Sequence, residues 1–112
     1  LSACAAVTSR IKLGTGVCLL TERDPLITAK SIASLDQLSN GRVIFGVAGG
    51  WIREAIENHG CTFKDRWKIV RERAIAIRQI WQNDPVEFRG DYVNFDPSWS
   101  HPNHNRLVVH RF

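Results

Sequence analysis

The spacing of apolar residues along this chain changes repeatedly, and each change marks an element. Ile11–Val17 (IKLGTGV) is apolar and β-branched apart from Lys12 and its glycines, the composition of a buried parallel strand. Leu26, Ala29, Ile32, Ala33 and Leu38 then recur at helical spacing. Asp24 suits the N-cap of that helix, and Pro25 its first turn, where a missing N–H costs nothing. Asn40-Gly41 ends it, because both residues tolerate the left-handed conformation of a C-terminal cap. Val43–Val47 resumes a short apolar strand. Strand, helix and strand in this order predict a right-handed β-α-β unit, the unit from which a barrel enzyme is built.

Beyond the second strand, Gly46, Gly49 and Gly50 loosen the backbone, and Trp51 opens a short helical stretch to about Glu57. A polar segment with Gly60 leads to the longest helix, residues 66–82. Trp67, Val70, Ala74, Ile77 and Trp81 form one stripe on it, with Ile80 beside them, while Lys68, Glu72 and Gln79 point elsewhere. Such a stripe buries against a sheet, which assigns both tryptophans to the core. Val86–Phe95 (VEFRGDYVNF) alternates around Arg89-Gly90-Asp91 and predicts a small hairpin. The final SWSHPNHNRLVVHRF opens as a loop and closes on an apolar run that suits one more strand. With no repeat and no dividing linker, residues 1–112 read as a single domain. The start without Met, inside what reads as the tail of an Ala-rich helix, suggests an incomplete or trimmed reading frame. The 112 residues are less than half of a closed eight-fold barrel of about 250 residues.

Composition narrows the functional classes. A 44% hydrophobic and 23% charged chain is ordinary globular material rather than disorder. Its formal charge of +4 is spread among interleaved acids and bases, which favours solubility and offers weak attraction for an anionic cofactor. No basic stripe for nucleic acid is present. Cys4, Cys18 and Cys61 are odd in number and 14 and 43 positions apart, so reduced, mostly buried thiols in a cytoplasmic protein are expected. No apolar run reaches the length of a membrane helix, and Leu1–Val7 lacks the features of a signal peptide.

Few residues suggest chemistry directly. Gly14-Thr15-Gly16-Val17 falls at the C-terminal end of a strand, where α/β enzymes bind ligands. Glycine there either lets a flat ring approach the backbone or simply makes a tight strand-to-loop turn. Gly46-Val47-Ala48-Gly49-Gly50 lacks the full glycine pattern of a dinucleotide-binding loop and the acid that should follow it. Arg53 and Glu54 suit either the edge of a polar cofactor or a solvated helix. His101, His104 and His110 lie close in sequence without the Cys or acidic ligands of a zinc site, so no metal site is assigned. Cys61 sits in a polar loop without an identifiable partner base.

The runs RIKLGTGV, RDPLITAKSIASLDQLSNGRVIFGVAGGW and REAIENHGCTFKDRW, with a following IRQIW, resemble the bacterial luciferase-like monooxygenase family. That family includes flavin-dependent monooxygenases and coenzyme F420-dependent oxidoreductases. The likeness spans about residues 5–96, and its AK-ASLD-LS-GR string is highly specific. It implies an α/β fold that is a partial TIM (β/α)8 barrel, roughly the third and fourth β/α units with a helical insertion and a hairpin. It further implies FMN or coenzyme F420 as cofactor and a small organic substrate. Reduced flavin would activate O₂ in one branch, and hydride would move to or from the deazaflavin in the other.

By the same resemblance, Gly16 and Val17 fall where the family makes a backbone bulge behind the cofactor ring, in several members through a non-proline cis peptide. Gly50, Trp51 and Glu54 fall where it closes around the cofactor, and Phe63 with Arg66 matches its F-x-x-R signature. Departures are Ala48 for a usual glycine, Ala55 for the second acid after the tryptophan, Trp67 for a glycine, and Arg71 for the acid before Glu72. The early strands that carry an active-site histidine in some relatives, and the late loops that bind the cofactor phosphate, have no counterpart here, so no catalytic residue is assigned. Half a barrel has open strand edges, which implies a homo-oligomer, swapped elements or a missing remainder. The alternative function is a catalytically silent, oligomerising barrel fragment that binds no cofactor.

Overall fold

The computed structural model describes residues 1–103 and the backbone of 109–111. Helix α1 (Ser2–Val7) precedes two very short strands, β1 (Leu13–Gly14) and β2 (Cys18–Leu19). A 3-10 turn over Leu20–Glu22 leads into α2 (Pro25–Leu38), β3 (Val43–Ala48) and α3 (Arg53–Asn58). A second 3-10 turn over Phe63–Asp65 opens α4 (Arg66–Gln82), followed by β4 (Val86–Arg89), β5 (Asn94–Ser98) and β6 (Val109–Arg111).

Strand β3 is the common partner of β1, β2 and β6, and all three pairings are parallel. Of the expected strand Ile11–Val17 only Leu13–Gly14 forms, and after a gap the pairing resumes at Cys18–Leu19, beyond the expected end. Gly14 faces Ile44 and Cys18 faces Val47, so four steps along one segment match three along the other. One extra residue forms a bulge and breaks the ladder. Val109–Arg111, at the end of the terminal run, pairs with β3, and the expected hairpin forms from β4 and β5.

Helix boundaries follow the capping chemistry. Asp24 Oδ1 accepts the Ile27 N–H at 2.9 Å, and Pro25 occupies the first turn of α2. Asn40 (φ 56) and Gly41 (φ 78) take the left-handed conformation that ends it. Helices α2 and α4 pack together against Phe45 and Val47 of β3, burying Ala29, Ile32, Ala33, Val70, Ala74, Ile77, Ile80 and Trp81. Trp81 meets Phe45 edge-on at 6.0 Å between ring centroids, and its Nε1–H donates to Ala29 O at 3.0 Å.

Two expected core residues lie outside. Leu38 is exposed because it stands nine residues from Ala29, half a turn out of phase at 100° per residue. Trp67 is 53% exposed. Ile69 and Ala76 are buried on the opposite flank of α4, so the buried stripe is centred away from Trp67, which lies at its border in the first turn. The parallel sheet is unclosed among the described residues. Its helix-packed face carries Phe45 and Val47, whereas Ile44, on the alternate face, is 40% exposed. Among the described residues no helix is long and apolar enough to cross a membrane.

Candidate functional site

The bulge between β1 and β2 lies opposite Gly46 in the middle of β3, and the Gly49-Gly50 turn follows beyond the point where Leu19 of β2 faces Ala48. The Gly16–Val17 peptide is cis. Gly16 is exposed, and a Cβ placed on it meets no atom within 4 Å. Val17 beside it is exposed as well. Gly50, after β3, adopts φ +76, and a Cβ on it would lie 3.7 Å from the Leu19 side chain in β2. Gly50 thus stands against Leu19 of β2, while Gly16 and Val17 precede β2 as a bulge within the sheet and not at the strand end that the sequence suggests. Trp51 and Glu54 follow as exposed residues, one just before α3 and one in its first turn.

Buried hydrogen bonds fix this end. Thr21 Oγ1 donates to Gly49 O at 3.0 Å, and Cys61 Sγ donates to Thr21 O at the same distance. Gly49 packs on α4, where a Cβ would meet Val70 at 3.4 Å and Arg66 at 3.5 Å, ordinary contact distances. The F-x-x-R pair also has a geometry. The Arg66 guanidinium lies 4.1 Å from the Phe63 ring centroid and donates to Phe63 O at 3.1 Å. Arg53 packs on the same ring at 4.7 Å while pairing with Glu57 at 3.2 Å. Arg66 has no carboxylate partner among the described residues, and its buried Nε is without a hydrogen bond. The Arg53 charge is thus met by Glu57, whereas Arg66, whose Cβ and Cγ pack beside Gly49, keeps a guanidinium without a carboxylate partner among the described residues. Ala48, for which only a positive φ would be a difficulty, sits in regular strand.

Beside the bulge, Thr15, Val17, Cys18, Arg23, Ile27 and Ser31 line part of a groove of about 240 Å³ against α2. A larger groove of about 490 Å³ lies between α4 and the hairpin and includes none of the strand-end residues. The thiols differ from the expectation of mostly buried cysteines. Cys61 is buried, Cys18 is half-buried and Cys4 is exposed, because α1 buries none of its residues. Burial pushes the Cys18 thiol up, an effect the Arg23 charge partly offsets. Among the described residues no cluster of His, Cys, Asp or Glu suits a metal. His101 pairs with Asp84 at 2.9 Å, while His104 and the His110 side chain lie outside the described residues.

Thr15 was legible only as a member of the Gly14–Val17 segment, with no role for its hydroxyl, and Thr21 carried no signal. Both are hydroxyl residues at strand ends next to glycines or turns, and their partners lie 31 and 28 residues away. A strand-end threonine is a weak signal without the register that gives it a partner.

A family profile described as Luciferase-like monooxygenase matches residues 1–108. The chain is 40% identical over 94 residues to an F420-dependent glucose-6-phosphate dehydrogenase of Amycolatopsis mediterranei, covering 80% of this chain and 28% of that protein. It is 35% identical over 94 residues to an FMNH(2)-dependent dimethylsulfone monooxygenase of Pseudomonas fluorescens, covering 81% and 26%. The crystal structure of monooxygenase RslO1 from Streptomyces bottropensis superposes with a TM-score of 0.83 at 26% identity, covering 96% of this chain and 34% of that one. The chain spans about a quarter of the length of the two sequence relatives. Its α/β architecture, with an unclosed parallel sheet, corresponds to part of such a fold. By profile, sequence and fold together, this chain belongs to the luciferase-like monooxygenase family.

Proposed function

We propose that this chain is the cofactor-facing part of an oxidoreductase that works with FMN or coenzyme F420 on a small organic substrate, in a cytoplasmic setting. The observation that carries the reading is the side-chain-free bulge at Gly16, which interrupts the parallel sheet just before β2, the strand whose Leu19 lies against the Gly50 turn. A flat ring fits such a place, because nothing projects from Gly16 to hold it away. The similarity to both an F420-dependent and an FMNH(2)-dependent protein supports the cofactor class and leaves the choice within it open.

A bound flavin supplies hydride transfer or, once reduced, oxygen activation, and a deazaflavin supplies hydride transfer. The residues of this chain bind and orient. Gly16 leaves the approach open, and Val17 offers an apolar contact. Gly50 turns the chain so that Trp51 and Glu54 stand at the rim, the first as an apolar wall and the second as a hydrogen-bond acceptor. Arg66, without a carboxylate partner among the described residues, makes the rim favourable to an anionic ligand.

Fluorescence titration with FMN and with F420 tests this. Saturable binding of one cofactor is expected, with affinity reduced about tenfold by Gly16→Leu, whose side chain occupies the ring's place. No binding of either cofactor up to about 1 mM would overturn the reading. The silent, oligomerising fragment is the second reading, and the exposed Ile44 on the helix-free face of β3 favours it. It predicts a stable oligomer by light scattering together with no cofactor binding.

A further inference from the structure

The bulge between β1 and β2 leaves a problem at Gly46. This residue is buried in the middle of β3, so its N–H and C=O both need partners. In a regular ladder a neighbouring main chain supplies them. Here the ladder ends with the Thr15 N–H donating to Ile44 O at 3.2 Å, and pairing resumes only where Cys18 faces Val47. The Thr15 side chain fills the gap. Its Oγ1 accepts the Gly46 N–H at 3.0 Å and donates its own hydrogen to Gly46 O at 2.8 Å. A hydroxyl is both donor and acceptor, so one atom does the work of a missing peptide unit.

We infer that Thr15 is a positioning residue for the candidate site, its hydroxyl standing in for a ladder peptide so that the Gly16–Val17 backbone is held clear of β3 at a fixed place. The inference rests on the reading of Gly16–Val17 as the element behind the cofactor ring. It assigns Thr15 a role distinct from core packing, since the hydroxyl and not the methyl makes both contacts. Valine keeps the shape and loses the hydroxyl, whereas serine keeps the hydroxyl and loses the methyl.

The test titrates wild type, Thr15→Val and Thr15→Ser with FMN and F420, and follows amide hydrogen exchange at Gly46 in each. Wild type is expected to bind, Thr15→Val to bind about tenfold more weakly with faster exchange at Gly46, and Thr15→Ser to recover most of both. Unchanged affinity in Thr15→Val, with Gly46 exchange accelerated, would overturn the inference while leaving the site reading intact. Wild-type chain that binds neither cofactor would overturn the site reading and the inference with it. Should Thr15→Val fail to fold, Thr15→Ser decides: protected Gly46 without recovered affinity would also overturn the inference.

Discussion

Arg42 is only 8% exposed, and every N–H of its guanidinium has a partner. Nε donates to Ser39 O at 2.8 Å, Nη1 to Thr8 Oγ1 at 2.8 Å and Ile11 O at 3.1 Å, and Nη2 to Ala5 O and Thr8 O at 3.0 Å. These bonds tie α1 and the approach to β1 onto the start of β3. The arginine was legible only as the end of the family string, because its partners lie up to 37 residues away. Lysine offers a point charge and no planar fork, so Arg42→Lys should cost about 2–4 kcal/mol in urea denaturation. A loss below about 0.5 kcal/mol would contradict this account of Arg42. Cys18 gives a pH prediction. Its thiol is raised by burial, so the fold prefers the protonated form. That contribution is complete below the ordinary thiol pKa of about 8.5 and is lost as pH rises through the raised folded value. Between about pH 8 and 10, wild type should lose more thermal stability than Cys18→Ala. Parallel curves would remove the assignment.

Among the elements, α4 separates what periodicity reveals from what it does not. The positions at Val70, Ala74, Ile77, Ile80 and Trp81 are buried as their spacing implies, because they face β3 and α2. Trp67 belongs to the same nominal stripe and remains largely outside. Periodicity gives a direction around a helix; the neighbour decides where along its length that direction meets protein. Trp81→Ala should therefore cost about 3–5 kcal/mol, and Trp67→Ala less than about 1 kcal/mol, by chemical denaturation. Equal costs would contradict the placement. The β4–β5 hairpin was equally legible, but its clamp was not. Glu72, expected to point away from the core, accepts the N–H groups of Asp91 (2.9 Å), Tyr92 (2.5 Å) and Val93 (2.6 Å) with its carboxylate. A Cβ on Gly90 would stand 2.5 Å from the Glu72 carboxyl carbon. Gly90→Ala must displace that carboxylate, and should destabilise the chain by about 1–3 kcal/mol while speeding amide exchange at Tyr92 and Val93. Retained protection at those amides would show that the clamp is not formed.

Taken as a whole, the molecule is a helix-backed parallel sheet with one face left uncovered among the described residues. The β-α-β core was readable because its caps and apolar period agree, Asp24 and Pro25 at one end of α2 and Asn40-Gly41 at the other. The break at Thr15–Val17 was legible only through the family resemblance, which places a backbone bulge at Gly16-Val17; apolar periodicity could not show it, because a bulge is a register effect and register depends on a strand distant in sequence. The open face with Ile44, and strand edges without partners among the described residues, support our proposal of a homo-oligomer. The central claim, however, concerns the Gly16–Val17 bulge and the Gly50 turn. NMR shift mapping of the isotope-labelled chain, titrated with FMN and then with F420, tests it most directly. The account predicts that perturbed amides cluster at Gly16, Val17, Gly50, Trp51 and Glu54 for one of the two cofactors. Perturbations confined to the β4–β5 hairpin, or none with either cofactor, would contradict it.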